Sequence, residues 1–143
     1  MTLAELIDVR REELLGLWRT EVRRLPSAAE LDTPRLTDMM PRVIDSLGDS
    51  LRRRAELPTL GPYASHAVET HCVERLEEGF AVDEVVIEYS IMQDLILELA
   101  HRERIDLNGN PVRIVTRFFA RAVTAAARVY EERALRAGQT RPS

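Results

Sequence analysis

Apolar residues recur along most of the chain at intervals of three and four positions, which is the period of an α-helix. Alternation of apolar and polar positions, the mark of a half-buried strand, is nearly absent. The start and stop signals within this pattern delimit about five helices. The pattern therefore predicts an all-α domain, either globin-like or a helical bundle, with a long C-terminal helix.

The first predicted helix opens at a capping box, in which the side chains of Thr2 and Glu5 can satisfy each other's exposed amides. It ends at Pro26, a residue that cannot continue a helix. Its predicted buried face consists of apolar residues at helical spacing: Leu3, Leu6, Ile7, Leu14, Leu17, Trp18 and Val22.

The second helix restarts with Thr33 as its cap and Pro34 in its first turn. Pro41 lies inside this segment, where its ring removes a backbone donor and crowds the preceding turn. We therefore expect a kink or two abutting helices near Met40. The prolines and glycine of residues 56–62 then predict a loop.

The third and fourth helices form a predicted hairpin. The third runs from about Tyr63 to Glu78 and ends at Gly79, which readily takes the left-handed conformation of a C-terminal cap. Asp83 is expected to cap the fourth helix. That helix is apolar on nearly every side, which predicts that it lies at the centre of the domain; its apolar residues are Val85, Val86, Ile87, Tyr89, Ile91, Met92, Leu95, Ile96, Leu97 and Leu99.

A fifth helix opens at Asn110 and Pro111 and extends to about Arg136. Its predicted buried stripe is Val115, Phe118 or Phe119, Ala122, Ala126, Val129 and Tyr130. We expect residues 1–137 to form a single all-helical domain and residues 138–143 to form a flexible tail.

Composition narrows the range of partners and compartments. The formal charge of -4 offers no basic field for phosphates, so we expect no nucleic-acid partner. All 20 positive charges are arginine, which removes Schiff-base and P-loop lysine chemistry. The single cysteine allows no internal disulfide, and the N-terminus carries charges before any long apolar run. We expect a cytoplasmic protein with no membrane insertion.

The histidines His66, His71 and His101 are the first candidates for a metal or haem site. His66 and His71 are five residues apart and project in different directions from a regular helix, while His101 belongs to another helix. A haem could use one histidine alone, but only the number of helices favours it. We expect no metal site and no cofactor.

Catalytic groups of the common kinds are also missing. Glu74, Glu77 and Glu78 crowd the end of the third helix, where we expect them to face solvent. Cys72 continues an apolar row of four-residue steps, which predicts a buried core thiol and not a nucleophile. No serine elbow, glycine-rich phosphate loop or H-E-x-x-H motif occurs. The sequence therefore predicts a protein that is not an enzyme.

The hairpin nevertheless carries a distinctive set of charges. His71 and Arg75 share a four-residue row with Gly79, which places them at the edge of the core. Glu88 lies on an apolar helix, so we expect it to be half-buried and to need a cation. Arg75 can grip it with two parallel bonds. We interpret the pair as a pin for the hairpin; a ligand contact, a switch, and an enzyme using His71 with Glu88 or Arg75 are the alternatives.

Six hairpin residues at fixed spacing, preceded by Trp18 in the first helix, form a recognisable pattern: His71, Arg75, Gly79, Phe80, Glu88 and Tyr89. This pattern resembles the N-terminal sensory domain of RsbRD-type stressosome co-antagonists, which also precedes bacterial sensor histidine kinases. Residues 36–47 are similar to the second-helix segment of that family. The resemblance spans about residues 3–130.

The resemblance implies a helical bundle related to non-haem globins. It also implies a homodimeric input module whose C-terminal helix passes a signal to an output domain or effector, such as a kinase or a stressosome component. We therefore expect a non-enzymatic sensory or regulatory domain of a bacterial signalling protein. The alternative is a globin-like protein that binds a tetrapyrrole or lipid-like molecule between its helices.

Overall fold

A computed structural model describes residues 1–53 and 61–140, with side chains as far as residue 138. Over these ranges the chain is all-α and ends in a long helix, so the predicted fold class is confirmed. In these two ranges seven α-helices and one 3₁₀ turn follow one another: α1 (Leu3–Val9), α2 (Arg11–Val22), the 3₁₀ turn (Pro26–Ala28), α3 (Thr33–Thr37), α4 (Met40–Arg53), α5 (Pro62–Glu77), α6 (Val82–Arg102) and α7 (Asn110–Thr140).

The first predicted helix is divided into α1 and α2 because Arg10 leaves the helical conformation, with φ -102° and ψ 17°. The cap at Thr2 is confirmed, since its Oγ1 accepts a hydrogen bond from the Glu5 amide at 3.2 Å. The expected burial of Leu17 is wrong: 39% of this residue is exposed. It lies beyond the edge of the face that α2 turns to the core through Leu14, Leu15, Trp18 and Val22.

The second predicted helix is also divided, as the proline predicts: α3 ends at Thr37 and α4 begins at Met40. The cap of α3 is Asp32 and not Thr33, because the Asp32 carboxylate accepts the Arg35 amide at 3.0 Å. Asp38 makes the corner between the two helices. The predicted loop 56–62 lies outside the described residues except for Gly61 and Pro62, which open α5.

The start of α6 differs from the expected cap at Asp83. The helix begins after Ala81, and Glu84 reaches back to accept the Ala81 amide at 3.0 Å. The same carboxylate accepts the backbone amide and the hydroxyl of Ser27, at 3.1 and 2.7 Å. Glu84 therefore serves two elements at once, since it caps α6 and anchors the 3₁₀ turn to it.

One apolar cluster fills the space between the helices and receives side chains from all seven of them. α7 packs against α5 and α6, α6 against α2, and α4 against α1 and α5. The helix predicted to lie at the centre of the domain, α6, contacts α1, α2, α5 and α7 but leaves one face open, where 41% of Ile87 is exposed beside Ser90, Asp94 and Glu98. Neighbouring helices cover only the face that carries Val85, Tyr89 and Met92.

α7 is longer than predicted and reaches Thr140, so residues 138–140 of the expected tail are helical. The remainder of that tail, 141–143, lies outside the described residues. Residues 131–138 are all exposed, whereas the preceding part of α7 carries buried Phe118, Phe119 and Ala126. None of the helices in residues 1–53 and 61–140 combines the length and apolarity needed to cross a bilayer.

The turn between α5 and α6 depends on Gly79. It has φ +89°, and the amides of Gly79 and Phe80 bond the carbonyls of Leu76 and Arg75 at 3.1 and 2.9 Å, a Schellman cap. A side chain added at Gly79 meets no atom within 4 Å. Any cost of such a side chain therefore comes from the backbone conformation itself.

We expect Gly79→Ala to lower the free energy of unfolding by about 1 kcal/mol, because alanine resists positive φ. Gly16→Ala is the matched control: its site is also open, but it lies inside α2, where alanine should stabilise by about 0.5–1 kcal/mol. Urea unfolding of both variants measures the difference. Equal effects at the two positions would contradict the assigned role of Gly79.

Candidate functional site

Charged side chains meet in the core where α5, α6 and the corner between α3 and α4 converge. We call this group the charge cluster; its members are Asp38, His71, Arg75, Glu78 and Glu88. His71, Arg75 and Glu88 have no exposed surface, and the Asp38 and Glu78 side chains are 9% and 16% exposed. The sequence placed His71 and Arg75 at the edge of the core, but both are fully enclosed.

Glu88 is the centre of the charge cluster. Its Oε1 accepts a hydrogen bond from Arg75 Nε at 2.7 Å, and its Oε2 lies 2.7 Å from His71 Nε2. The predicted pairing of Arg75 with Glu88 is therefore present, but the guanidinium bonds the carboxylate through Nε and not by the expected two parallel bonds, and Glu88 is fully buried where half-burial was expected. Burying an ionised carboxylate is costly unless cations and donors surround it, and here each oxygen faces one such group.

Arg75 uses the rest of its guanidinium to hold the end of α3. Nη1 donates to the carbonyl of Arg35 at 2.8 Å and to Glu78 at 3.0 Å, and Nη2 donates to the carbonyl of Leu36 at 2.6 Å. The guanidinium also lies 4.6 Å from the centre of the Phe80 ring, a cation–π distance. Glu78 therefore does not face solvent as expected, because it supplies the second carboxylate for this arginine.

His71 lies between two carboxylates. Its Nδ1 is 2.8 Å from Asp38 Oδ2, and its Nε2 is 2.7 Å from Glu88 Oε2. A neutral imidazole has one N–H, so only the imidazolium donates to both ionised carboxylates. Burial lowers the pKa of His71, but the charges and hydrogen bonds of Glu88 and Asp38 raise it more, and the net pKa lies above the usual 6.5.

Asp38 is the member that sequence reasoning did not identify. Its backbone has φ 46° and ψ -125°, close to the first central position of a type II′ turn, where glycine predominates. A non-glycine residue in such a conformation costs about 1–3 kcal/mol and persists when its surroundings hold it there. The only local signal was the helix break before Pro41, which says nothing about a histidine 33 positions away.

The remaining residues of the sequence pattern surround the charge cluster. Trp18 Nε1 donates to the backbone carbonyl of Glu88 at 3.0 Å, which ties α2 to α6. The Tyr89 ring lies 5.8 Å from that of His71, and its hydroxyl is 3.8 Å from the Cys72 sulfur. Burial raises the pKa of the Cys72 thiol to about 12, so this thiol stays protonated in the core as predicted.

The three histidines do not converge, because His66 and His101 are exposed whereas His71 is buried. Over residues 1–53 and 61–140, no group of three or more His, Cys, Asp and Glu side chains is placed to hold a metal ion. No protein-family model, curated protein or solved structure matches this chain.

The charge cluster has two chemical capacities. It joins three parts of the chain by ion pairs, and within the described residues every buried side-chain nitrogen or oxygen has a hydrogen-bond partner. It also places one carboxylate at each ring nitrogen of His71, an arrangement in which the imidazolium donates one N–H to each. No solute reaches Glu88, His71 or Arg75 in this conformation, since all three are fully enclosed.

We expect Glu88→Gln to lower the free energy of unfolding by about 3 kcal/mol, because glutamine turns an NH₂ group toward one of the two donors and removes the negative charge that pairs with Arg75. Glu98→Gln, an exposed change on the same helix, is the control and should leave the urea midpoint in place. Unfolding at constant pH measures both variants. Equal midpoints would rule out the pinning role of Glu88.

Proposed function

We propose that the chain is a non-enzymatic sensory or regulatory domain of a bacterial signalling protein. It acts in the cytoplasm as a homodimer and relays a signal through α7 to an output domain or effector, such as a kinase or a stressosome component. The class follows from the resemblance of the hairpin pattern to RsbRD-type sensory domains. The residues that carry this pattern also form or adjoin the charge cluster.

A chain of contacts from the charge cluster to α7 supports the relay most directly. The Arg75 guanidinium lies 4.6 Å from the Phe80 ring centre, and the backbone carbonyl of Phe80 accepts a hydrogen bond from the Tyr130 hydroxyl at 2.7 Å. Tyr130 is the last partly buried residue of α7 before its exposed end. A shift of Arg75 would therefore act on α7 through two contacts.

The exposed end of α7 supports dimerisation. Residues 131–138 form about two helical turns without a buried side chain, and Leu135 is 60% exposed. A helix in water draws most of its stability from packing an apolar face, and two unsupported turns are marginal. A second copy packed along this end would cover Leu135 and stabilise the helix.

The accessibility of the charge cluster favours regulation over catalysis. General acid–base catalysis needs a side chain within hydrogen-bond reach of a bound substrate. Glu88, His71 and Arg75 are fully enclosed, and their polar atoms contact other groups of the protein. A buried cluster of this kind can stabilise one packing arrangement of the helices over another, and a relay requires two such arrangements.

Light scattering with size-exclusion chromatography at micromolar concentration should show a dimer. We expect Leu135→Glu to weaken it at least about tenfold, because an unpaired carboxylate would be buried at the interface. Val9→Glu is the control: Val9 is also an exposed apolar residue (67%) but belongs to α1. A wild-type chain that stays monomeric at these concentrations would contradict the proposed assembly.

A second candidate, the binding of a lipid-like molecule, has one feature in its favour. A cleft of about 800 Å³ lies between the N-terminus of the chain, the end of α4 and the start of α7; its lining joins apolar Leu3, Leu51 and Ile114 to charged Glu5, Arg52 and Asp106. None of the histidines is among the residues that line it. The geometry therefore favours a lipid-like ligand over a tetrapyrrole held by histidine.

If this cleft holds a lipid-like ligand, mass spectrometry of the purified protein under denaturing conditions should release a small apolar molecule. Leu51→Asp should reduce its yield severalfold, because a charge placed in the cleft opposes an apolar ligand. Glu98→Gln, far along α6, serves as the control. Absence of any released molecule from wild-type protein would leave the sensory proposal as the only candidate.

A further inference from the structure

The charge cluster contains one histidine, His71, whose two ring nitrogens face carboxylates in different surroundings. On one side of His71, Glu88 is fully buried and its other oxygen is held by Arg75. On the other side, Asp38 lies in the strained corner between α3 and α4, with 9% of its side chain exposed. The two neighbours therefore differ in their access to water.

The ionisable groups around His71 come from three parts of the chain. The corner between α3 and α4 contributes Asp38, α6 contributes Glu88 and Tyr89, and α5 itself contributes Arg75 and Cys72. α4 and α7 also pack on α5, and the described part of neither helix forms an ion pair with His71. Besides burial, which lowers its pKa, the charged groups that act on this imidazole are thus two carboxylates and one guanidinium.

We propose that the charge cluster is a proton-binding latch: the His71 imidazolium donates one N–H to Asp38 and the other to Glu88 and so holds the corner between α3 and α4 against α5, and loss of the Nδ1 proton releases Asp38. Binding of this proton is then the input that the sensory domain proposed above would relay. Only this role as a signal input rests on the proposed function, because the latch itself follows from the geometry of His71.

The contact that opens can be identified from solvation. After losing a proton, His71 has one N–H left for two carboxylates, and one of them must face a ring nitrogen lone pair. Glu88 has no access to water, so the remaining N–H stays on Nε2 and continues to donate to it. Asp38 then faces the lone pair of Nδ1, and its carboxylate can turn toward water from the strained corner.

The direction with pH follows from the raised pKa of His71. The stabilisation that protonated His71 gives to the folded state is complete below about pH 6.5, the usual pKa of histidine. It is lost as the pH rises through the higher pKa that His71 has in the folded state. The latch is therefore closed in acid and opens in alkali. When it opens, Arg75 still holds the carbonyls of Arg35 and Leu36, so the corner loosens without unfolding.

Nuclear magnetic resonance on the whole chain with H66Q and H101Q tests the latch, since both replaced histidines are exposed and His71 remains as the only histidine signal. The chemical shifts of the His71 ring nitrogens, recorded from pH 5 to about 10, report whether the ring is protonated. This range brackets the titration of an ordinary histidine. Hydrogen exchange of the Leu36 and Asp38 amides measures how stable the corner between α3 and α4 is, because each amide donates to a carbonyl of α3 or its cap at 2.9 Å. Rates are compared with those of an unstructured amide at the same pH.

We expect both amides to lose protection by roughly tenfold or more at the pH where His71 loses its proton. D38N is the matched variant, because asparagine can accept from the imidazolium and donate to the neutral ring, so its contact survives at either pH. In D38N the protection should stay constant while His71 still titrates. The Val43 amide, in the first turn of α4, reports on general loosening and should keep its protection.

Two results would overturn the latch. One is a His71 that keeps both protons to pH 10, which would make it a permanent structural cation. The other is a His71 that titrates without any change at the Leu36 and Asp38 amides. Loss of the dimer in light scattering would instead count against the proposed relay and leave the latch standing, so the two failures are distinguishable.

Discussion

Glu88 has no contact with water, and this burial is the constraint on which the packing of α5 and α6 depends. A carboxylate charge costs several kcal/mol in a core unless cations and donors surround it. His71 and Arg75, four residues apart on one face of α5, each supply a donor to one of its oxygens. The two helices therefore pack in the register that brings both donors to Glu88, and Trp18 fixes α2 to the same turn.

The same two cations also explain the unusual corner between α3 and α4. The donors that Arg75 does not use on Glu88 bond the carbonyls at the end of α3, and His71 draws the Asp38 carboxylate inward. Positive φ at Asp38 persists because these contacts hold it. A strained corner and a buried ion pair thus depend on each other, and a change in one charge alters both.

α7 connects this interior to the surface. Its first half fills the core against α5 and α6, and Tyr130 bonds the turn where Phe80 packs under the Arg75 guanidinium. Beyond that residue the helix continues over residues 131–138 with every side chain exposed. The charge cluster and the exposed end of α7 are therefore linked by packed side chains and hydrogen bonds, a physical form that coupling between sites can take.

The sequence by itself determined the all-α class, the division of the second helix and the pairing of Arg75 with Glu88, because each depends on which residues share a helix face or break its backbone. Only the tertiary structure decided that Asp38 faces His71, since 33 residues separate them and no local spacing predicts which corner folds over which helix. The tertiary structure also decided the exposure of Ile87, because it sets which face of α6 the other helices leave uncovered. Which charged residues lie on the packed faces of α5 and α6 thus follows from local spacing, whereas their partners from other parts of the chain are set by how distant elements pack.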